Sequence, residues 1–400
     1  MCLMFVFSCT NEVENIPPSD LASKSSNHLS FKQIKSLASL LSVDDLSCLS
    51  AYERQTRSTS SAPKEIDNFD FFVTQDGDTL MFCINYKNDR GFMVFSTDCD
   101  QFPLLAHSDK GRFSFEVSIS NPLNLWVYEK KAIIQNSLNN NTITNNVWND
   151  LGNPEYSYEI ERVYDFSNVQ TRGRRTVPSG KTNIHPFSGM SLEWGQGTGY
   201  NYYASGNLAG CPAVSIGMLM WDLYWRIDYS GPAPGSFEFP VWDCPTKITQ
   251  NGPNSVARLL KNIADSIPEY IWGPSFSGAS GNNTIVGLKR IGFPSATIKA
   301  YNFEEVYQNI YQKKHGLILC GTKAGVGHMW FCDGYQEIIY KVQKKDKKGK
   351  VISTWYEYED ALYMNWGSDG ADNGWYESTG LNGFTYGAGM IVNLDWAPNN

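Results

Sequence analysis

Acyl chemistry on a peptide needs a nucleophile, a base and donors for the developing oxyanion, and this sequence offers residues for each role. Cys211 follows Gly210 and precedes Pro212 at the head of the run CPAVSIGMLMWDLYWR. Proline suits the first helical position, because the N–H it lacks would be unpaired there in any case. A thiol at a helix N-terminus faces the positive end of the helix dipole, which favours the nucleophilic thiolate. A buried structural cysteine is the plainer reading of the same residue, and position alone does not separate the two.

The base must come from five histidines, at 28, 107, 185, 315 and 328. His28 and His107 precede the Arg-rich stretch at 167–183, His185 sits in the loop region just after it, and His315 has a simpler role as a cation at a helix C-terminus. His328 opens the strand-like HMWFCDGY after the flexible KAGVG (323–327), at the lip of a sheet where an imidazole can meet a thiolate. Asn365, in YMNWGSDG, is the candidate to orient that imidazole, and Trp366 beside it could shield the Asn–His hydrogen bond from water. Gln196, in LEWGQGTGY, supplies an amide for the oxyanion, joined by the Cys211 N–H. Each residue alone is weak evidence; the order Gln, Cys, His, Asn is specific.

These residues need elements to hold them. Four hundred residues suit two domains, and 12 Trp, 22 Tyr and 21 Phe supply ample core. The charged fraction of 18% and hydrophobic fraction of 42% describe a globular chain. A net charge of −8 argues against a nucleic-acid partner. The basic run KKDKKGK (344–350) reads as a solvated hairpin tip. Nine cysteines without a CxxC pair disfavour a zinc site or a disulfide framework, so no metal or cofactor is expected.

The N-terminal MCLMFVFSC is too short to span a bilayer and reads as the end of a secretory apolar region, with Cys9 placed as in a bacterial lipobox. Export, with a lipid anchor on Cys9 or secretion, is the expectation. Residues 17–66 read as a tether with one amphipathic patch near 31–49. From Phe69 to Tyr128 short apolar runs broken by turns at Asp76-Gly77 and Asn88–Gly91 predict a β-meander, followed by an Asn-rich stretch (136–146) and a helix. The segment SNVQTRGRRTVPSGKTN (167–183) is a candidate linker that a protease could cut, with a boundary near 175. Beyond it, Cys211–Arg226 predicts a wholly buried helix, 256–267 an amphipathic one, and 303–315 another with Asn302 as N-cap. GLILCGT, HMWFCDGY, IIYKVQ, VISTWYEY and ALYMNW predict antiparallel strands, and therefore an α+β domain over 176–400.

WGQGTGYNYY, AGCPAVSIGMLMWDLYW, GHMWFCDGY and NWGSDGADNGWY together resemble the streptopain family of bacterial papain-like cysteine peptidases. GFMVFSTDCDQFPLLAHSDKG (91–111) resembles the family's propeptide, so the likeness covers about residues 75–396. The resemblance implies a zymogen: a β-rich α+β propeptide over 67–175, acting as intramolecular inhibitor, before a papain-like catalytic domain. It implies Cys211 as nucleophile, His328 as base, Gln196 as oxyanion donor, and Asn365 with Trp366 as support. The Gly-rich stretch 378–389 matches a mobile loop beside the family's substrate groove. Pro212, Ser368 in place of a second Trp, and Ser215–Gly217 depart from the pattern. Protein or peptide substrates and a monomeric state are expected. Two other readings remain: a catalytically silent surface lipoprotein that binds or inhibits, and a cell-wall amidase or transglutaminase-like enzyme with the same Cys-His-Asn logic.

Overall fold

The computed structural model describes residues 28–42, 64–98, 102–116, 121–140, 148, 150–162, 183–184, 192–226, 244–313, 315–323, 326–378 and 389–395. Cys9, His185, nearly all of the linker, and most of the Gly-rich loop lie outside these.

The chain before the expected boundary contributes α1 (Phe31–Ser42), β1 (Ile66–Val73), β2 (Thr79–Tyr86), β3 (Phe92–Ser96), β4 (Leu104–Ser108), α2 (Leu123–Asn140) and β5 (Tyr156–Arg162). β1 to β4 form the expected antiparallel meander. The meander ends earlier than expected, however, because residues 123–128 belong to α2. The overlooked signal is Asn121-Pro122: Asn121 Oδ1 accepts the Leu123 N–H at 3.0 Å, with Pro next in line to open a helix.

After the boundary come β6 (Asn183–Ile184), α3 (Cys211–Arg226), α4 (Ser255–Ser266), α5 (Gly281–Arg290), β7 (Thr297–Ala300) and α6 (Phe303–Lys313). Then follow β8 (Leu317–Lys323), β9 (Val326–Asp346), β10 (Val351–Asn365), β11 (Gly374–Glu377) and β12 (Gly389–Val392). α3 is buried along most of its length, as its sequence predicts, and its one acid, Asp222, accepts the Gly316 N–H at 3.0 Å. Asn254 caps α4 and Asn302 caps α6. α5 was not foreseen. Its GNNTIVGLKR opens on poor helix formers, but Ser280 caps it by accepting the Asn283 N–H.

All of this is one α+β architecture with a large antiparallel sheet, ordered β1-β2-β3-β4-β11-β10-β9-β8-β12-β7, with β5 and β6 also on β9. The four strands expected after β8 are two long ones: β9 and β10 pair antiparallel from Val351–Lys345 to Asn365–Phe331. Their turn lies at 347–350, within the basic run. The tip itself, 347–350, is exposed as expected, with Lys347 ion-paired to Glu155, while Lys344 and Lys345 before it are partly covered and reach Asp150 and Glu159 around β5.

The sheet crosses the expected boundary twice, where β4 pairs with β11 and where β5 pairs with β9. So do both hydrophobic cores. One carries α3 together with Met81, Val94 and Trp126. The other packs Ile34, Leu37 and Trp148 on Ile338, Tyr340 and Val342 of β9. A buried polar knot spans the same join: His107 Nε2 lies 2.9 Å from Glu359 Oε1, and Tyr340 donates its hydroxyl to Glu359 Oε2 at 2.7 Å. This accounts for His107 as a structural residue.

Candidate active site

Cys211 stands at the first position of α3, and the turn before it has little freedom. Gly210 has φ +90°, and a Cβ there would stand 2.1 Å from Tyr270 Oη and 2.7 Å from Ser277 O. Only glycine fits both the backbone angle and the space. Tyr270 donates its hydroxyl to Ala209 O at 2.7 Å, and Ala209 N–H donates to Gln196 O at 2.8 Å. The Gln196 segment is thereby tied by backbone to the residue two before Cys211.

A cleft of about 240 Å³ opens at this point, and Gln196, Cys211 and His328 all line it. His328 begins the buried part of β9, opposite Gly321 of β8. The following residue, Met329, directs its backbone N–H at the Cys211 thiol. Sequence reasoning therefore names three of the residues that meet in this cleft. It missed Ser275, Phe276, Ser277, Asp369 and, from the N-terminal half, Asn121. No local pattern marks these, since they converge from separate loops.

Asn365 and Trp366 lie behind the cleft and are not among its lining. Asn365 is fully buried; its Nδ2 donates to Leu192 O at 2.6 Å and its Oδ1 accepts the Gly367 N–H at 3.2 Å. The expected hydrogen bond to His328 is not among the contacts of this amide, which bonds backbone groups. Trp366 donates from its indole to Asp372 O at 3.1 Å and packs on Trp330 and Tyr376. It braces the turn between β10 and β11 instead of covering an Asn–His pair.

The electrostatics also depart from expectation. Burial pushes the Cys211 thiol up to about 11, while the backbone N–H groups of Met329 and Cys211 draw it down by less. The helix end does not win over enclosure in this state. Asp372, buried in the same turn, is pushed up to about 7 by desolvation, against hydrogen bonds from the Ser114 backbone and the Asn121 side chain.

Asp369 is exposed, in the left-handed region with φ +58°, and its N–H donates to Trp194 O at 3.2 Å. Its carboxylate lies flat against Gly195, where a Cβ would meet Oδ1 at 2.4 Å. Burial raises it above the usual carboxylate range, with Lys247 opposing. Among the described residues no cluster of three or more His, Cys, Asp or Glu is arranged to hold a metal ion.

No family model matches this chain. No curated protein matches its sequence.

Proposed function

We propose that this chain is the precursor of a papain-like cysteine endopeptidase. The observation that carries the reading is the cleft in which a thiol at a helix N-terminus, a histidine at a strand start and a glutamine amide meet. In the reaction, His328 takes the thiol proton and Cys211 Sγ attacks the peptide carbonyl carbon. The oxyanion receives the Cys211 N–H and the Gln196 side-chain amide. Pro212 costs nothing in this scheme, since its missing N–H is not used. His328 then protonates the leaving amine, and water, deprotonated by His328, hydrolyses the thioester. Asn365 acts as a positioning residue, pinning the backbone at Leu192 and at Gly367 of the cleft wall.

Residues before about 175 serve in this reading as an intramolecular inhibitor. Asn121 reaches into the cleft wall and bonds Asp372 behind it. Export, with Cys9 as a lipid attachment point, belongs to the same proposal and rests on the sequence.

The test compares wild type with Cys211→Ala, both lacking residues 1–16, under reducing conditions at neutral pH. Wild type alone is expected to lose its N-terminal half on a denaturing gel and to gain casein hydrolysis that E-64 abolishes. A wild type still inactive after trypsin has removed the N-terminal half sinks the reading. The second reading, a silent binding homologue, would then stand; the enclosed thiol and an Asn365 amide bonded to backbone groups favour it.

A further inference from the structure

Resting on the peptidase reading, we propose that Asp369 forms a cation subsite in the cleft that holds the nucleophile, selecting peptides with Lys or Arg close to the scissile bond. The cleft wall is otherwise almost without charge. Apart from His328, the side chains around Cys211 are amides, hydroxyls, Leu208 and Phe276, and Asp369 is the one acid among them. A single carboxylate in such a cleft sets the sign of the potential that an incoming side chain meets.

Two features show that this carboxylate is not spent on the fold. Among the described residues it has neither a hydrogen-bond donor nor an ion-pair partner. The nearest cation, Lys247, is already held by Glu193 at 2.6 Å. Asp369 also occupies a left-handed backbone conformation, which costs free energy unless something repays it. The carboxylate rests against Gly195, in space that a Cβ there would share. An exposed acid without a cation partner, on the wall of the cleft that also holds the candidate nucleophile, is matched by a guanidinium or ammonium from outside. Ser368 assists by being small: a large side chain there would crowd the wall that it shares with Asp369. The chain itself carries such a peptide, since Arg172, Arg174 and Arg175 stand in the linker expected to be cut.

The variant that isolates the charge is Asp369→Asn, because asparagine tolerates the left-handed region and keeps the N–H bond to Trp194. In the activated enzyme, peptides identical except for Arg, Lys, norleucine or Ala at the positions flanking the cut are compared by kcat/KM. The expected result is a preference of about tenfold for the basic peptides, lost in Asp369→Asn while the norleucine peptide is cut as before. Equal preference in both proteins, or none in wild type, overturns the cation subsite and leaves the peptidase reading standing. A parallel measurement does not need turnover: binding of N-acetyl-lysine amide against N-acetyl-norleucine amide to full-length Cys211→Ala, with and without Asp369→Asn. If no peptide is hydrolysed at all, the peptidase reading fails; lysine-amide binding that depends on Asp369 still supports the cation subsite, and its absence overturns it.

Discussion

At Cys211 two influences oppose one another. The start of α3 and the Met329 N–H favour the thiolate, while burial of the side chain favours the neutral thiol. Enclosure wins, with the thiol pushed up to about 11. The intact chain should therefore be slow to alkylate at this residue. Iodoacetamide labelling of the Cys211 peptide, followed by mass at pH 7, is expected to run on the order of a hundredfold or more below a free cysteine. Labelling faster than free cysteine in the intact chain would mean that the thiolate is already formed, and that the N-terminal half does not suppress it. At this scale the sequence brought forward residues that share a cleft: Gln196, Cys211 and His328 all line it. It was uninformative about Asn365, whose role depends on which buried backbone groups need a partner, and that is a property of packing. Asp369 was invisible for a similar reason, since nothing local says that it lines the cleft.

The turn between β10 and β11 is the element that gathers these effects. Trp366 N–H and the Asn373 side chain close it at 3.2 Å, and the Trp366 indole and Tyr376 hydroxyl both donate to Asp372 O. Asp372 itself is buried with a pKa raised from 3.8 to about 7, chiefly by desolvation. A raised folded pKa means that the folded state prefers the protonated acid. Its contribution to stability is fully present below about 4, falls as pH rises, and is gone above about 7. The urea midpoint of full-length Cys211→Ala should accordingly drop between pH 5 and pH 8, by an amount equivalent to a few kcal/mol at most. Asp372→Asn, which also suits the left-handed φ of +60°, should flatten that drop. A slope unchanged by the substitution would assign the pH dependence to other groups. The strands and helices around this turn were largely legible, because period-2 and period-3.6 patterns and Asn caps are local. α2 and α5 were missed in whole or in part where the cap residue, not the apolar period, carries the signal.

Across the whole molecule, the pairing of β5 with β9 could not be read from the sequence, since it joins residues about 180 positions apart and no local period encodes it. Its consequence is large. A cut in the Arg-rich linker would sever one peptide bond but leave β4 on β11, β5 on β9, and two cores shared between the halves. Separating them would expose Ile338, Tyr340 and Val342 to water and strip Glu359 of His107. Those three side chains alone represent several kcal/mol of apolar burial. The cut chain should thus remain a two-fragment complex. Full-length Cys211→Ala nicked in the linker is expected to elute from gel filtration as one species and to show two fragments only on a denaturing gel. In the wild type, casein hydrolysis should then lag behind linker cleavage and follow the disappearance of the N-terminal fragment. Two separate peaks from the nicked chain, or activity rising in step with the first cut, would mean that the shared sheet does not hold the halves together. The same bonds that build one sheet from two segments would then have to be weak enough to part at once, which the buried Glu359–His107 pair and the Trp148 packing argue against.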